Sequence, residues 1–349
     1  MTHLALLTVR NEAAFLLEWL AHHRAVGFDD FLVFSNDCED GTDTMLDRLA
    51  ALGWLTHIRN TGPYDQGGIQ FTAMKRAAEM APVQTADWIL ALDIDEFVNI
   101  HVGDGTLSAL HAALPDATAI TLTWRLFGNN GEVRFRDRPV TETFPKAAPD
   151  VLYWPWRASM FKTLYRNDGT YAKPGIHRPR APDQDRLATA RWYDSHGRPL
   201  DDMFKNRRVF SNFGQPNYGL AQLNHYALGA MESYVLKAAR GRAVHANDVL
   251  GMDYWVERNF CSDSDDSIRR YDAARDAHLG DLKSDATLAD LHDTAVTWRT
   301  QKFETLMQDE PYRALFGRLL MTPPTRPVGR KAAQFMVAHA ARAKAAQAQ

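Results

Sequence analysis

The sequence predicts an α/β fold in which a mostly parallel β-sheet is flanked by helices and followed by a helical C-terminal extension. Strand-length apolar runs alternate with amphipathic helical patterns through the first part of the chain, which is typical of parallel sheets covered on both faces. From Met231 onward the pattern is helical. The 349 residues, 45% hydrophobic and 24% charged, suffice for one large domain or two modest ones.

The predicted strands are short apolar runs in the first 130 residues. The fourth run is apolar throughout, which predicts a strand that is buried on both faces near the centre of the sheet. Ligands of parallel sheets bind beyond the carboxyl ends of the strands, so we expect the functional site there. In chain order the five predicted strands are residues 4–9, 31–34, 54–58, 88–92 and 119–124.

The predicted helices lie between these strands. Gly27 stands where the C-cap of the first helix belongs, and Pro82 is expected to stop the third helix, residues 70–80. Apolar residues share one side of each helix. They are Phe15, Leu16, Trp19, Leu20 and Val26 in the first, Met45, Leu46 and Leu49 in the second, and Ala73, Ala77 and Met80 in the third.

The rest of the chain divides into three further segments. Residues 140–215 are rich in proline, arginine and aromatic residues, which predicts irregular structure with short strands that covers the site. Residues 231–325 are expected to form a helical extension packed on a first domain, residues 1–230. The tail, residues 326–349, is basic, alanine-rich and free of acidic residues. We favour a solvated or frayed helix there, with peripheral attachment to an anionic membrane face as the alternative.

Composition argues against several classes of protein. The formal charge of -3 gives no case for nucleic-acid binding. Cys38 and Cys261 are too few for a disulfide framework, which favours a reducing compartment. The chain shows no basic, apolar signal peptide and no run near the ~18 apolar residues of a membrane span. We therefore expect a cytoplasmic protein.

Three carboxylates, Asp93, Asp95 and Glu96, follow the fourth strand directly. Carboxylates that are buried together need a compensating cation. Mn²⁺ and Mg²⁺ prefer oxygen ligands and often share their coordination shell with substrate phosphates. A solvated acidic turn is the alternative, but the position after a central strand favours a metal site.

The residues around this cluster resemble a known family. Residues 87–98, DWILALDIDEFV, are similar to the W-x-x-x-x-D-x-D-E-F version of the D-x-D motif found in family 2-like and family 92-like bacterial glycosyltransferases of the GT-A type. Further similar segments follow the family's order, strongly over residues 3–130 and in patches to about residue 270. They are residues 8–12, 34–42, 161–166, 175–179 and 223–241.

The resemblance implies a GT-A, Rossmann-like domain over residues 1–230 that binds a nucleotide sugar. The expected reaction moves a sugar from a nucleoside-diphosphate sugar, with UDP as the expected nucleotide, to a carbohydrate or lipid-linked acceptor such as a cell-surface polysaccharide or glycolipid. The resemblance implies donor contacts from Arg10, Asn11, Glu12, Asn36, Gln70, Lys75, Asp93, Lys237 and Arg240.

Some of these residues have simpler interpretations. Asn11 is also a good N-cap for the first helix, and residues 40–42 suit a turn and helix cap. Lys75 also suits a solvated helix face. Lys237 and Arg240, three residues apart, share a helix face that could neutralise a diphosphate or simply carry surface charge.

The resemblance also implies a metal site for Mn²⁺ or Mg²⁺. Asp95 would be the principal ligand, with Asp93 beside it and His225 as a distant ligand whose second nitrogen a group such as Asn224 could hold. His177 is the second candidate for the histidine ligand. Trp124, after the fifth predicted strand, would lie near the acceptor, although tryptophan at a strand end is more often part of the core.

The catalytic base is harder to predict. Family 2 enzymes supply it from a Glu-Asp pair, and no such pair follows Asp95 in this chain. The nearest substitute is the adjacent pair Asp265 and Asp266, whose carboxylates could raise each other's pKa. The favoured interpretation of this acidic, serine-rich stretch is nevertheless a helix N-cap.

Other classes of protein also place Asp-x-Asp after an apolar strand. Aspartyl-phosphate phosphohydrolases carry it on the first strand and have Thr or Val where this chain has Phe97. A nucleotidyltransferase would need a glycine-rich loop after the first strand, where this chain has residues 9–12, VRNE. A catalytically degenerate sugar-nucleotide-binding protein is the main alternative to a glycosyltransferase.

Overall fold

The computed structural model describes residues 1–64, 67–241 and 250–347. The strands are β1 (His3–Val9), β2 (Asp30–Ser35), β3 (Thr56–Arg59), β4 (Trp88–Leu92), β5 (Glu96–Ile100), β6 (Ala119–Leu126), β7 (Lys146–Ala147), β8 (Phe161–Arg166), β9 (Tyr171–Lys173), β10 (Arg180–Pro182), β11 (Trp192–Asp194), β12 (Ala221–His225) and β13 (Asp263–Ser264).

The helices alternate with these strands and dominate the C-terminal third. They are α1 (Ala13–Val26), α2 (Thr42–Ala51), α3 (Ile69–Ala77), α4 (Ala81–Thr85), α5 (Leu107–Ala113), α6 (Val140–Thr143), α7 (Gln184–Leu187), α8 (Asp202–Asn206), α9 (Met231–Arg240), α10 (Met252–Val256), α11 (Asp272–Lys283), α12 (Ala286–Leu306), α13 (Glu310–Met321) and α14 (Arg330–Gln347). Two 3₁₀ turns cover Trp156–Ser159 and Ser267–Tyr271.

The main sheet has the strand order β3-β2-β1-β4-β8-β6-β12-β5, and β11 also pairs with β6. Parallel pairings join β3, β2, β1 and β4, and they join β6 to β11 and β12. β8 runs antiparallel to β4 and β6, and β5 runs antiparallel to β12. The predicted α/β class is confirmed. The predicted central position of β4 is confirmed too, because its five residues are all buried between β1 and β8.

Both faces of the sheet are covered, as the alternation of side chains along a strand requires. In β1, Ala5 and Leu7 join the core under α1 and α2, whereas Leu4 and Leu6 join the core under α3. A third cluster joins α9, α10, α12 and α13. The C-terminal residues are therefore helical, as predicted, while the division into a first domain and an extension packed on it stays a prediction.

The structure corrects several element predictions. The fifth predicted strand is β6, because β5 begins at Glu96 directly after the acidic turn. β8 belongs to the main sheet, although it lies in the segment expected to be irregular. Pro82 stands in the first turn of α4, where its missing N–H costs nothing, and the preceding helix ends earlier, at Ala77.

Caps at both ends of α1 fix its position beside the sheet. Gly27 ends the helix in a left-handed conformation (φ 109°), and its N–H bonds back to the carbonyls of His23 and Arg24, as predicted for a C-cap. At the other end Asp40 Oδ2 accepts a hydrogen bond from the Ala13 N–H (3.0 Å). Residues 40–42 therefore do perform cap chemistry.

The tail forms helix α14, which exposes Phe335, Met336 and Val337. No helix in the described part of the chain is long and apolar enough to cross a membrane. Peripheral membrane contact through the tail stays a prediction.

Glu18, on α1, ties this helix to the first residues of α6. Its carboxylate is buried and accepts hydrogen bonds from the backbone N–H groups of Val140 (2.7 Å) and Thr141 (3.2 Å) and from the Thr141 hydroxyl (3.1 Å). Three donors therefore depend on one side chain that reaches out of α1.

We expect Glu18→Ala to lower the free energy of unfolding by about 1–3 kcal/mol, because buried donors left without a partner keep their full desolvation cost. Urea unfolding followed by circular dichroism measures the change. Glu79→Ala, at an exposed position, is the matched control and should unfold as the parent does. Equal stability of both variants would show that α1 does not depend on this contact.

Candidate functional site

A cleft of about 810 Å³ lies at the carboxyl ends of the parallel strands. Val9 ends β1 there, Asn36 follows β2, Asp93 and Asp95 follow β4, and His225 ends β12. This is the edge of the sheet at which the sequence predicts a ligand site. The far wall comes from the covering segment, through Trp156, His177, Arg178, Arg207 and Phe210.

The acidic cluster forms a tight turn between β4 and β5. Asp93 and Asp95 keep 30% and 22% of their side chains exposed, and both line the cleft. Glu96 is fully buried, and its carboxylate accepts hydrogen bonds from the Trp124 indole (2.7 Å) and from the Asp93 N–H (2.9 Å). Two of the three carboxylates therefore face the cleft, and the third holds the turn and Trp124 in position.

Two lysines neutralise this cluster. Lys162, on β8, is 1% exposed, and its Nζ lies 2.9 Å from Asp93 Oδ2 and 3.4 Å from Glu96 Oε2. Lys237, on α9, donates to Asp95 Oδ2 and to the Ala227 carbonyl, both at 2.7 Å. The positive charge that these buried carboxylates need is thus supplied largely by lysine side chains.

The pKa shifts follow from this pairing. Burial alone would raise the pKa of Asp95, but Lys237 and His225 outweigh it and hold that pKa well below its usual range. Lys162 does the same for Asp93 against the effect of burial. Burial raises the pKa of Glu96 well above its usual range, against the attraction of Lys162. The lysines therefore favour the charged form of Asp93 and Asp95, whereas burial disfavours the charged form of Glu96.

Lys162 is the functional residue that sequence reasoning missed. Its segment was recognised as part of the family resemblance, yet no role was assigned to it. A lysine in the middle of an otherwise buried strand is a signal, because lysine is almost never fully buried unless it is paired. Its partner could not have been named, since β4 and β8 are far apart in sequence.

Both predicted histidines line the cleft, and both contact the ring of Trp124. His225 Nε2 lies 3.7 Å from Asp95 Oδ1, and its ring packs on Trp124 with centroids 4.2 Å apart. His177 approaches the same indole edge-on at 5.7 Å and is held through Nδ1 by the Phe161 carbonyl (2.9 Å). Burial lowers the pKa of both imidazoles, that of His177 to about 4. Both rings are therefore neutral at pH 7, as a metal ligand must be.

The expected support of His225 by Asn224 is wrong. Successive side chains of a strand point to opposite faces, and Asn224 instead bonds to Tyr226 and Gln222. His225 Nδ1 is buried without a hydrogen-bond partner among the described residues.

Arg10, Glu12 and Arg240 join the end of β1 to α9. The Arg240 guanidinium donates to the Glu12 carboxylate and to the Arg10 carbonyl (2.6 Å). All three residues line the cleft beside Asp95. Arg10 and Glu12, predicted as donor-site residues near the start of the chain, are therefore in contact with Arg240, a donor-site residue predicted far along the sequence.

The other predicted donor residues divide into three groups. Gln70 and Asn36 line the cleft, and Gln70 donates to Asp93 Oδ1 (3.0 Å). Asn11 is not the N-cap of α1, because its Oδ1 accepts the Glu39 N–H (2.7 Å) from the turn after β2. Lys75 lies exposed on α3, outside the described lining of the cleft.

Asp265 and Asp266 do not join this site, because neither lines the cleft formed by the described residues. Asp265 accepts hydrogen bonds from Arg125 (2.9 Å), Gln222 (2.7 Å) and both the N–H and the hydroxyl of Ser267. It caps the following 3₁₀ turn, and Asp266 is exposed beside it. The role of this pair as a base stays a prediction that its placement does not support.

The chain is similar in sequence to glycosyltransferase family 92 proteins, as the motifs indicated. One from Oryza sativa subsp. japonica is 26% identical over 150 residues, which is 41% of this chain and 24% of that protein. One from Ricinus communis is 24% identical over 97 residues, which is 27% of this chain and 16% of that protein. The chain thus spans about a quarter or less of the length of these relatives. No protein-family model matches it.

Solved structures of glycosyltransferases match over most of the chain at low scores. S. aureus TarS 1-349 in complex with UDP is 12% identical, with a TM-score of 0.34 over 88% of this chain and 91% of that one. The mannosyltransferase PcManGT from Pyrobaculum calidifontis, in complex with GDP-Man and Mn²⁺, is 13% identical, with a TM-score of 0.30 over 91% and 86%.

We expect Lys162→Met to lower the free energy of unfolding by about 3–5 kcal/mol, because it removes the counter-ion of the Asp93 carboxylate and a buried hydrogen-bond partner of Glu96. Chemical denaturation at pH 7 measures the loss. Lys173→Met, at an exposed position on β9, is the control and should change little. If both variants unfold alike, Lys162 is not the ion that holds the acidic turn.

Proposed function

We propose that this chain is a glycosyltransferase that binds a nucleoside-diphosphate sugar in the cleft and passes its sugar to an acceptor. The observation that carries the proposal is the contact between Asp95 and His225 at the carboxyl edge of the sheet, inside a cleft whose other charged residues are mostly cationic. The named activity of the family 92 relatives supports it.

The donor diphosphate fits the part of the cleft between β1, α9 and the acidic turn. Arg10 and Arg240 lie there, and Lys237 completes a group of three cations. Oxygen-rich anions are recognised best by such convergent N–H donors. The nucleoside then falls toward Asn36 and Gln70, and UDP is the nucleotide that the family resemblance implies.

The residues present fit a divalent ion that is shared with the donor. Lys237 holds Oδ2 of Asp95, so Oδ1 stays directed toward His225 Nε2. No group of three or more ligating side chains occurs among the described residues, so a bound ion would take its remaining ligands from phosphate and water, as Mg²⁺ does. When bound, Mn²⁺ or Mg²⁺ would stabilise the charge of the departing nucleotide as a Lewis acid.

Asp93 has a different task in this proposal. Its two oxygens accept from Gln70 and Lys162, so it orients the donor side of the cleft rather than binding the ion through a free oxygen. Lys162 in turn fixes Asp93 and Glu96, and Glu96 fixes Trp124. This chain of contacts holds the reacting region rigid, which catalysis by positioning requires.

The acceptor fits the opposite wall of the cleft, beside Trp156, His177 and Phe210. Aromatic faces of this kind suit the apolar faces of sugar rings. A carbohydrate or lipid-linked acceptor remains part of the proposal from the resemblance, and a cytoplasmic location remains an expectation from the composition.

Asp95→Asn should abolish most of the Mn²⁺-dependent binding of UDP, since it removes the ligand charge but keeps the side-chain size. We expect at least a tenfold loss of UDP affinity by isothermal titration calorimetry in the presence of Mn²⁺. Asp290→Asn, an exposed substitution on α12, should bind as the parent does. Unchanged UDP and Mn²⁺ binding by the Asp95 variant would refute the assignment.

Replacing the two histidines separates their roles, because both pack on Trp124 but, among the described residues, only His225 contacts Asp95. His225→Ala should weaken Mn²⁺ affinity in the presence of UDP more than His177→Ala does. Titration with Mn²⁺, followed by its electron paramagnetic resonance signal, measures both affinities. The reverse order would transfer the metal role to His177.

One observation favours a second candidate, the same transfer without a metal. Lys162 and Lys237 already neutralise Asp93 and Asp95, so these carboxylates do not need a metal ion. Other cations of the chain could then bind the diphosphate without one. UDP-sugar hydrolysis, assayed with Mn²⁺ and with a chelator, decides between the two. Equal turnover would select the metal-independent reaction, and none in either condition would favour the degenerate binding protein.

A further inference from the structure

A second cavity, of about 350 Å³, lies directly behind the acidic turn. It is enclosed by α1, α9, α12 and the segment that leads into α6. Arg10, Glu12, Asp95, Lys237 and Arg240 line both this cavity and the cleft, so the two spaces share one wall. Its size lies within the range of small-molecule sites in proteins.

Arg299, on α12, lines this second cavity and is only 6% exposed. Its guanidinium stacks over Phe15 (4.5 Å) and Phe135 (4.9 Å). Its Nε is buried without a partner, and within the described residues the side chain makes no hydrogen bond or ion pair. Burial lowers the pKa of Arg299 to about 10.

The carboxylates nearest to Arg299 are committed elsewhere. Glu12 pairs with Arg240, and Asp40 caps α1 and bonds to Thr42. Glu232 accepts the backbone N–H of Phe135 (2.9 Å). Arg299 is therefore a buried cation without a counter-ion, which is unfavourable unless a ligand supplies one.

Arg275, on α11, shows what a structural buried arginine looks like in the same fold. It is 1% exposed, and its guanidinium pairs with Glu142, Asp272 and Asp276 and donates to the Thr141 hydroxyl. Arg275 therefore has its hydrogen-bond acceptors within the fold, whereas Arg299 faces a cavity.

The exposed lining of the cavity carries more cations than acids. Arg134, Arg136 and Arg138 are exposed there, against the exposed acids Glu39 and Asp309. An excess of one charge around a cavity raises the local concentration of ligands of the opposite sign.

We infer that this cavity is a separate binding site for a small anion that carries a ring-sized apolar body. Arg299 pairs with the phosphate or carboxylate group of the ligand, since a guanidinium matches either group with two parallel hydrogen bonds. The rings of Phe15, Phe135, Trp298 and Tyr312 cover the apolar body. The inference does not depend on the nature of the reaction in the cleft.

The test uses three probes of similar shape: phenyl phosphate, benzoate and benzyl alcohol. Binding to the full chain is measured by titration calorimetry and ligand-observed NMR. We expect at least one anion to bind at least tenfold more tightly than benzyl alcohol, and the tighter of the two identifies the head group. Tight binding of neither anion, or equal binding of the alcohol, would overturn the inference.

Variants then locate the site. Arg299→Met should weaken binding of the preferred anion at least tenfold. Arg258→Met, which removes a buried arginine from the cleft only, should leave that affinity within twofold of the parent. Loss in the Arg258 variant with retention in the Arg299 variant would place the anion in the cleft and overturn the inference.

Melting temperatures provide an independent readout. Arg299→Met should melt at or above the parental temperature, because it removes an uncompensated buried charge. Arg275→Met should melt earlier, because it leaves paired carboxylates unsatisfied. If Arg299→Met lowered the melting temperature as much as Arg275→Met, Arg299 would be a structural residue and the binding site would be refuted.

Discussion

Two lysines neutralise the acidic turn that follows the central strand, and both the sheet and the cleft are built around this pairing. The turn joins β4, at the centre of the sheet, to β5, and carries three carboxylates into a largely buried position. Lys162 reaches it from β8 and Lys237 from α9. Without these cations the desolvation of the carboxylates would oppose the folding of the central sheet.

The same pairing sets what the cleft can do. Because each lysine engages one oxygen of its aspartate closely, Asp95 keeps Oδ1 directed toward His225 and the open space. The remaining lining is rich in arginine, so the cleft offers an anionic ligand many donors and few competing acceptors. The proposed nucleoside diphosphate suits both features, because it is anionic and could share a metal ion with Asp95. The second cavity shares the wall that Asp95, Lys237 and Arg240 form.

Local patterns predicted the parts of the fold that depend on neighbouring residues. The apolar runs located β1, β2 and β4, and the position of Asp93 and Asp95 after β4 placed them at the site edge. β8 was not recognised as a strand of the main sheet, because its insertion between β4 and β6 is a long-range pairing that no local pattern encodes. The sequence therefore did not predict β8 as one of the two neighbours of the central strand β4.

The site shows the same limit. The family resemblance predicts Lys237 and Arg240, and their spacing puts them on one helix face, whereas the contact of Lys162 with Asp93 joins distant parts of the chain. The pair Asp265 and Asp266 suited either a base or a cap, and only the tertiary contacts of Asp265 show that it caps a turn and binds Arg125. Arg299 gave no signal, because its burial follows from how α12 packs against α1.

We propose that Asp95 and His225 hold a divalent ion that is shared with a nucleotide. Anomalous diffraction from crystals soaked with Mn²⁺ and UDP would locate this ion. We expect one Mn²⁺ peak about 2 Å from both Asp95 Oδ1 and His225 Nε2, with phosphate oxygens completing its shell. UDP bound in the cleft with no such peak, or a peak on other residues, would refute this metal site.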